Sequence, residues 1–379
     1  MNFAFSEEQE LLRQTTRRFL EDKSPSAKVR ELMETEEGFD RSLWREVGQM
    51  GWLGVHVPEA YGGGGFSYLE LVVLMEEMGR ALFPVPFLSS VCLAVNALLV
   101  AGSEEQKRRY LPEIASGERT AGLALTEAGG RWDAAGVQLV AKPDDGDYLL
   151  SGGKLFVVDG HTADTLLVVA RTAESSDPED GISLFVVEAA AEGVDRRVLG
   201  TMDMTRKLAE VNLDNVRVPA EARVGEEGRA WPAIAKVLDL AAVALAAEQV
   251  GGAQRCLDMA VEYAKVRVQF GRPIGSFQAI KHKCADMLVQ VESARSAAYY
   301  AGWAAGQDSQ ELSVVAPLAK SFCSEAYFFV AAENIQVHGG IGFTWEHDAH
   351  LYFKRAKSSE LLFGDPAYHR ELLAQRIGL

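Results

Sequence analysis

The chain has 379 residues, 48% of them hydrophobic, and a net charge of −16. This length allows two or three packed units, since single cores stop growing near ~250–300 residues, and an acidic excess spread along the chain argues against nucleic acid or an anionic membrane as partner. No apolar run approaches the ~18 residues of a membrane span, the start MNFAFSEEQELLRQ lacks the basic and apolar regions of a signal peptide, and four scattered cysteines (Cys92, Cys256, Cys284, Cys323) without a CxxC pair read as lone thiols of a reducing compartment, the cytoplasm.

The first ~120 residues read as helices. Ser6-x-x-Gln9 is a capping box, followed at helical spacing by Leu11, Leu12, Thr15, Phe19 and Leu20. Further helices are predicted near Arg41 to Met50 and Ser67 to Arg80, with a glycine turn at Tyr61 to Gly65 between them, and Ser103 caps EEQKRRYLPEI. From about Thr120 to Val224 the period becomes strand-like: LALTE, GVQLVAK, DYLLSGGKLFVVDG, TLLVVART, ISLFVVE and VNLDNVRVP, punctuated by the turn strings PDDGD, SGG, DG and DPEDG. So many short runs in ~100 residues predict a compact barrel or sandwich. From about Gly225 the chain is helical again. Pro232 suits a first turn, and an Ala-rich helix runs to about Arg267, where Gly271-Arg272-Pro273 breaks it. Helices then span about Phe277 to Gly306 and Leu312 to Val337, His338 to Gly342 is a loop, and two more helices follow from about Glu346. Long helices with short connections predict a bundle. The expected fold is α+β: an N-terminal helical domain (1–119), a middle β-barrel or sandwich domain (120–224) and a C-terminal four-helix bundle (225–379).

Three strings carry chemistry: RVQFGRPIGSFQAIKH over 267–282, QVHGGIGF over 336–343 and LALTE over 123–127. Together with the helix–β–helix order they resemble the acyl-CoA dehydrogenase family over essentially the whole chain. That family takes an α-proton from an acyl-CoA thioester with a carboxylate and passes the β-hydrogen to FAD as hydride. Such chemistry requires a base within hydrogen-bond reach of Cα and donors at the thioester oxygen, while the cofactor does the redox work. The resemblance implies an FAD shared between subunits, with the flavin ring on one chain and the ADP half reaching the bundle of a neighbour.

The ADP-side residues match. Arg267 stands where the family's arginine meets the pyrophosphate, a task suited to a guanidinium fork. Gln269 and Phe270 follow, Phe277 and Gln278 open the next helix, and Gln336, Val337, His338, Gly339 and Gly340 match the adenine-side turn, where glycine lets backbone approach a ligand. Read from the residues alone, Arg267 caps a helix and the glycines turn the chain. The flavin-side strings depart from the family. After Thr126-Glu127, its P-G-A-G-S-D is AGGRWD here, which puts Arg131 and Trp132 where small residues are expected. Its K-x-W-I-T-N-G is KLFVVDG here: Phe156 can still cover a flavin face, whereas Val158 cannot hydrogen-bond near N5.

The base is missing at the family position. The Y-E-G-T string corresponds to Leu362-Phe363-Gly364-Asp365, so Phe363 replaces the glutamate; the alternate site on the first long helix is Ala241-Ala242, after Asp239. Glu360, Asp365 and Glu248 are the nearby carboxylates. Glu248, in the apolar stretch LAAVALAAEQVGG, is the substitute of interest, because a carboxylate buried there needs a partner or a raised pKa. No histidine spacing points to a metal, and Tyr61 to Gly65 lacks the strand and lysine of a phosphate loop. The pattern resembles the base-less partner subunit of actinobacterial α2β2 acyl-CoA dehydrogenases of the steroid side-chain type. That implies a homologous subunit carrying the base, and acyl-CoA bound at that subunit's site. A self-sufficient homotetramer using Glu248 and a non-catalytic scaffold homologue are the alternatives.

Overall fold

A computed structural model describes residues 6–379; Met1 to Phe5, the first part of the stretch tested for a signal peptide, lie outside the described residues. The N-terminal helices are α1 (Glu7–Lys23), α2 (Ser26–Met33), α3 (Arg41–Gln49), α4 (Tyr68–Ala81), α5 (Asn96–Ala101) and α6 (Glu104–Ala115). The boundaries follow local chemistry. Ser6/Gln9, Ser67/Glu70 and Ser103/Gln106 form reciprocal capping boxes, and Asp40 accepts from the amides of Ser42 and Leu43. Two helical stretches carried no clear periodic signal: α2, and a π-helix over Leu88–Val95 that runs into α5. Every residue of the π-helix is buried, so no polar face marks its period.

Eight strands follow: β1 (Ala121–Ala124), β2 (Val140–Asp144), β3 (Asp147–Val158), β4 (Thr165–Arg171), β5 (Ile182–Glu188), β6 (Val194–Val198), β7 (Leu208–Val218) and β8 (Arg223–Val224). They form one sheet in the order β6-β7-β3-β2-β4-β5-β8, with β1 parallel to β4. Leu150, Val168, Phe185, Val211 and Val216 build its core. The expected turn at SGG is corrected. Ser151 to Gly153 lie inside β3, where the register against β7 shifts between Leu150 and Gly152. Gly152 takes φ 142, and the result is a bulge rather than a chain reversal. β6, with three consecutive charged residues between two valines (VDRRV), was also unforeseen.

The C-terminal part holds α7 (Trp231–Val266), a hairpin of β9 (Val268–Gln269) and β10 (Arg272–Pro273), α8 (Gln278–Gly306), α9 (Leu312–His338), α10 (Ala349–Leu361) and α11 (Pro366–Arg376). The expected loop after His338 is instead a 3-10 turn, Gly339–Phe343. The stretch Leu312–Phe343 is long and apolar enough by composition to cross a membrane, with mean hydropathy 1.3, but 67% of that window is buried inside the protein. The chain forms two interleaved compact units. One joins the stretch ending at Glu31 with Ser67–Phe83 and Ala242–Leu379; the other joins Leu32–Phe66 with Pro84–Ala241. In the first, Gly79 and Gly251 let α4 and α7 cross closely: a Cβ on Gly79 would sit 2.0 Å from the Glu248 carbonyl, and one on Gly251 1.8 Å from that of Glu76.

Candidate functional site

In the first unit, the ADP-side residues surround the ends of α7 and α9. Arg267 closes α7, its amide donating to the Tyr263 carbonyl at 2.9 Å. Phe270 and Gly271, at φ 52 and 74, form the tight turn of the β9–β10 hairpin. Arg267, Gln269, Phe270, Gln278, Gln336, Gly339 and Gly340 are exposed; Phe270 is 92% exposed, a large apolar ring left in solvent. It meets Phe277 edge-on at 6.0 Å, and Arg272 lies over the Phe277 ring at 4.2 Å. Gln278 lies 3.4 Å from His282 across one helical turn. Gly339 holds φ 63 with ψ −139, a conformation essentially reserved for glycine. A Cβ on Gly339 or Gly340 would meet nothing within 4 Å, so this backbone is open to a ligand.

Val337 and His338 are placed differently. Both are buried. The His338 ring stacks on Tyr263 at 4.4 Å and lies 4.4 Å from His347, while its Nδ1 is 2.8 Å from the Asn334 carbonyl. Burial holds the His338 pKa below the usual imidazole range. This stack ties the end of α7 to the turn after α9, so His338 supports the glycine turn from beneath.

The flavin-side strings lie in the second unit. Lys154 is fully buried and donates to the Leu125 carbonyl at 3.0 Å and to Glu127 at 2.7 Å. Burial lowers its pKa to about 8, against the pull of Glu127. The same Glu127 oxygen accepts the amides of Gln138 and Leu139 at 2.9 Å each, closing the base of the loop between them. Within that loop Arg131 pairs with Asp133 in a fork (2.7–3.2 Å), and Asp133 caps the short turn at Ala134–Gly136. The replacement string thus folds on itself. Thr126 is 3% exposed, and its Oγ1 has no hydrogen-bond partner among the described residues. An orphaned buried hydroxyl costs about 1–3 kcal/mol, so it suits a ligand that would satisfy it. Phe156 sits in a second register shift of β3 with φ 57 and is 41% exposed, whereas Val158 is 3% exposed and pairs with Leu208. A dinucleotide fits the open arginine-and-glycine end of the bundle. On the flavin side, Thr126 fits a polar edge, and Val158 offers no hydrogen bond.

Phe363, the residue expected in place of the family's glutamate, is 4% exposed, with φ 63. Behind it stands Lys320 of α9, which sequence reading passed over. It is fully buried and donates to the Glu360 carbonyl (3.1 Å), the Gly364 carbonyl (3.2 Å) and Ser324 (3.0 Å). Burial lowers its pKa to about 7. The neighbouring acids are engaged: Glu360 pairs with Lys357 at 2.8 Å, and Asp365 caps α11 through the Tyr368 amide at 2.8 Å. Glu248 is buried, as its apolar surroundings predict, and its partner is Arg355 of α10 at 3.1 Å, itself 3% exposed. Ala241 and Ala242 are fully buried apolar positions, and Asp239 is 8% exposed. The signal for Arg355 was available: a lone arginine between Tyr352 and Ala356 on a helix face that is otherwise buried. No group of metal-ligating side chains forms among the described residues.

Models of the acyl-CoA dehydrogenase N-terminal, middle and C-terminal domains match residues 6–118, 122–216 and 228–378. The acyl-CoA dehydrogenase IpdE2 of Mycolicibacterium smegmatis is 38% identical over 363 residues, covering 95% of this chain and 96% of that protein. Butyryl-CoA dehydrogenase from Megasphaera elsdenii superposes with a TM-score of 0.93 at 29% identity over 100% of both chains. A chain of the ChsE4–ChsE5 complex from Mycobacterium tuberculosis does so with 0.90 at 31%, over 100% of this chain and 99% of that one. With all three domain models matched in order along its length, the chain belongs to the acyl-CoA dehydrogenase family of FAD-dependent oxidoreductases.

Proposed function

We propose that this chain is the cofactor-clamping, base-less subunit of a heterotetrameric acyl-CoA dehydrogenase. One observation carries the reading: Phe363, the residue read in place of the proton-abstracting glutamate, is buried in a turn bonded by Lys320, while Arg267, Gln278, Gln336, Gly339 and Gly340 are exposed on the bundle. The flavin, when bound, supplies the hydride acceptor. This chain's residues do the holding. Arg267 meets a pyrophosphate with a two-pronged fork, the open backbone at Gly339 and Gly340 admits close approach, and Gln278 and Gln336 give polar contacts to the ADP half. Val337 and His338 act from beneath, and Phe270 and Phe277 present rings beside the arginine.

The homologous partner supplies the base and the thioester pocket. Two observations support such a partner. Phe270, Phe343 and Trp345 are 92%, 80% and 52% exposed, more aromatic surface than a lone chain leaves at one end without a use. A relative was also solved as a complex of two chains, ChsE4 and ChsE5. The division at 119/120 and 224/225, supported by the ranges of the three domain models, and a cytoplasmic location, supported by four free cysteines, belong to the same reading. The self-sufficient alternative would use Glu248, but that carboxylate is committed to Arg355.

Stoichiometry tests it: FAD per chain is measured on this chain alone and co-purified with an adjacently encoded homologue carrying the glutamate. The expected result is one FAD per pair of unlike chains and turnover only from the pair. One FAD per chain and acyl-CoA oxidation by this chain alone would refute it.

A further inference from the structure

A cavity lies in the first compact unit, and none of the residues assigned to the dinucleotide or the base line it. It measures about 260 Å³, just below the ~300–1,000 Å³ of pockets for drug-sized ligands. Its floor is apolar: Leu20, Val29, Leu82, Met259 and Leu351 line it, each no more than 8% exposed. Its polar groups can be sorted by what already holds them. Arg17 is forked onto Glu77 at 2.7–2.9 Å, Arg80 is bound to Asp258 at 2.5 Å, Asp348 is held by Arg30 at 2.8 Å, and Glu21 stands exposed at the rim. Tyr352 donates its hydroxyl to the Arg80 carbonyl at 2.7 Å, and Ser26 is exposed to solvent; Arg255 and Ser24 remain. Arg255 has one ion pair among the described residues, a long one of 3.9 Å to Glu262. Ser24 is 95% buried, taking its exposure of 5%, and its Oγ has no hydrogen-bond partner among the described residues.

A guanidinium with spare donors and an orphaned hydroxyl over an apolar floor form a recognition pattern. A buried hydroxyl is unfavourable unless something completes it. A water would satisfy Ser24 but leave the five apolar walls without contacts. A molecule with an anionic acceptor at one end and a short hydrocarbon body satisfies both. We infer that this cleft between α1, α2, α4, α7 and α10 is a binding site for a small aliphatic monocarboxylate, its head on Arg255 and Ser24 and its body on the Leu20–Met259–Leu351 floor. The site is independent of the proposed heterotetramer.

Hexanoate is the probe, titrated into the full chain by calorimetry, with hexanol as the uncharged control. Saturable one-to-one binding of hexanoate, at least about tenfold tighter than hexanol, is expected; tenfold is the effect of one charge-assisted contact worth ~1.4 kcal/mol. Arg255→Gln should weaken hexanoate about tenfold with little change for hexanol. Because a polar substitution can disturb packing, Arg255→Lys, which keeps the charge, should retain most of the affinity with an unchanged circular dichroism spectrum. Met259→Trp should abolish binding by filling the floor. Absence of saturable binding at millimolar hexanoate, equal affinity for hexanol, or full affinity in both Arg255→Gln and Met259→Trp would each overturn the assignment.

Discussion

The buried Glu248–Arg355 pair decides between a structural and a chemical role for the most interesting carboxylate in the sequence. The two side chains are 6% and 3% exposed, with N and O 3.1 Å apart. At an effective dielectric of ~20 their attraction is about 5 kcal/mol before desolvation is charged against it. Glu248→Gln keeps the shape but leaves the guanidinium buried and uncompensated, and breaking a buried pair on one side costs about 3–5 kcal/mol. Arg355→Met should cost a similar amount by stranding the carboxylate. The double variant removes both charges and should recover much of the loss, so the cycle should give a coupling of about 2–3 kcal/mol. Urea denaturation followed by circular dichroism, on the four proteins at neutral pH, reads this directly. A Glu248→Gln cost below about 1 kcal/mol, with additive singles, would refute the structural assignment. If that variant also lost acyl-CoA oxidation, the carboxylate would be a base.

Three further outcomes follow from the same packing. The Lys320 pKa is lowered from 10.5 to about 7 by burial, so the unfolded chain holds this proton more tightly, and stability is gained as pH rises from about 7 toward 10.5 and absent below. Wild type should gain on Lys320→Met by up to about 4–5 kcal/mol across that window, read as the difference between their urea midpoints; parallel profiles would contradict it. Burial lowers His56 to about 4 and His369 to about 3. Stability is therefore present above about pH 6.5 and falls with acidification through the window down to about 4, by roughly 3 kcal/mol for His56 alone; a flat profile from about pH 7 to about 4.5 would be the failure. Gly79→Ala places a methyl 2.0 Å from the Glu248 carbonyl, so α4 and α7 must separate. A loss of at least about 2–3 kcal/mol is expected, and a melting temperature within about 1 °C of wild type would show that the crossing is not tight.

What the sequence disclosed and what it hid separate along physical lines. The capping box at Ser6 and the cap at Ser103 announced two helix starts, because a hydroxyl at that spacing satisfies specific amides, and the structure shows the same reciprocal pairing at Ser67. The 36-residue helix α7 was legible in its Ala-rich composition and in the Gly271-Arg272-Pro273 break. Where a segment is buried on every side, as over Leu88–Val95, alternation vanishes, and so does the period that would identify it. Gly152 misled because glycine serves a bulge as readily as a turn.

Among the residues expected at the site, Arg267, Gln269, Phe270, Gln278, Gln336, Gly339 and Gly340 are exposed and Val337 and His338 are buried, and the long-range pairings that support them were not legible from neighbours in the chain. Arg355 lies 107 residues from Glu248, and Lys320 reaches 44 residues forward to the Gly364 carbonyl. Those supports bear on the proposed replacement of the base by Phe363. A glutamate simply lost by drift would leave a turn free to relax. Here Phe363, in a left-handed conformation, lies in a turn whose Glu360 and Gly364 carbonyls accept from the fully buried Lys320 amine, and a Cβ on Gly364 would strike the Tyr368 ring at 2.2 Å. The turn is therefore maintained in detail around a side chain that cannot accept a proton. Maintaining a strained turn costs about 1–3 kcal/mol per strained residue. A chain that bears this cost, with Phe363 sealed at 4% exposure, keeps the turn for its shape and packing.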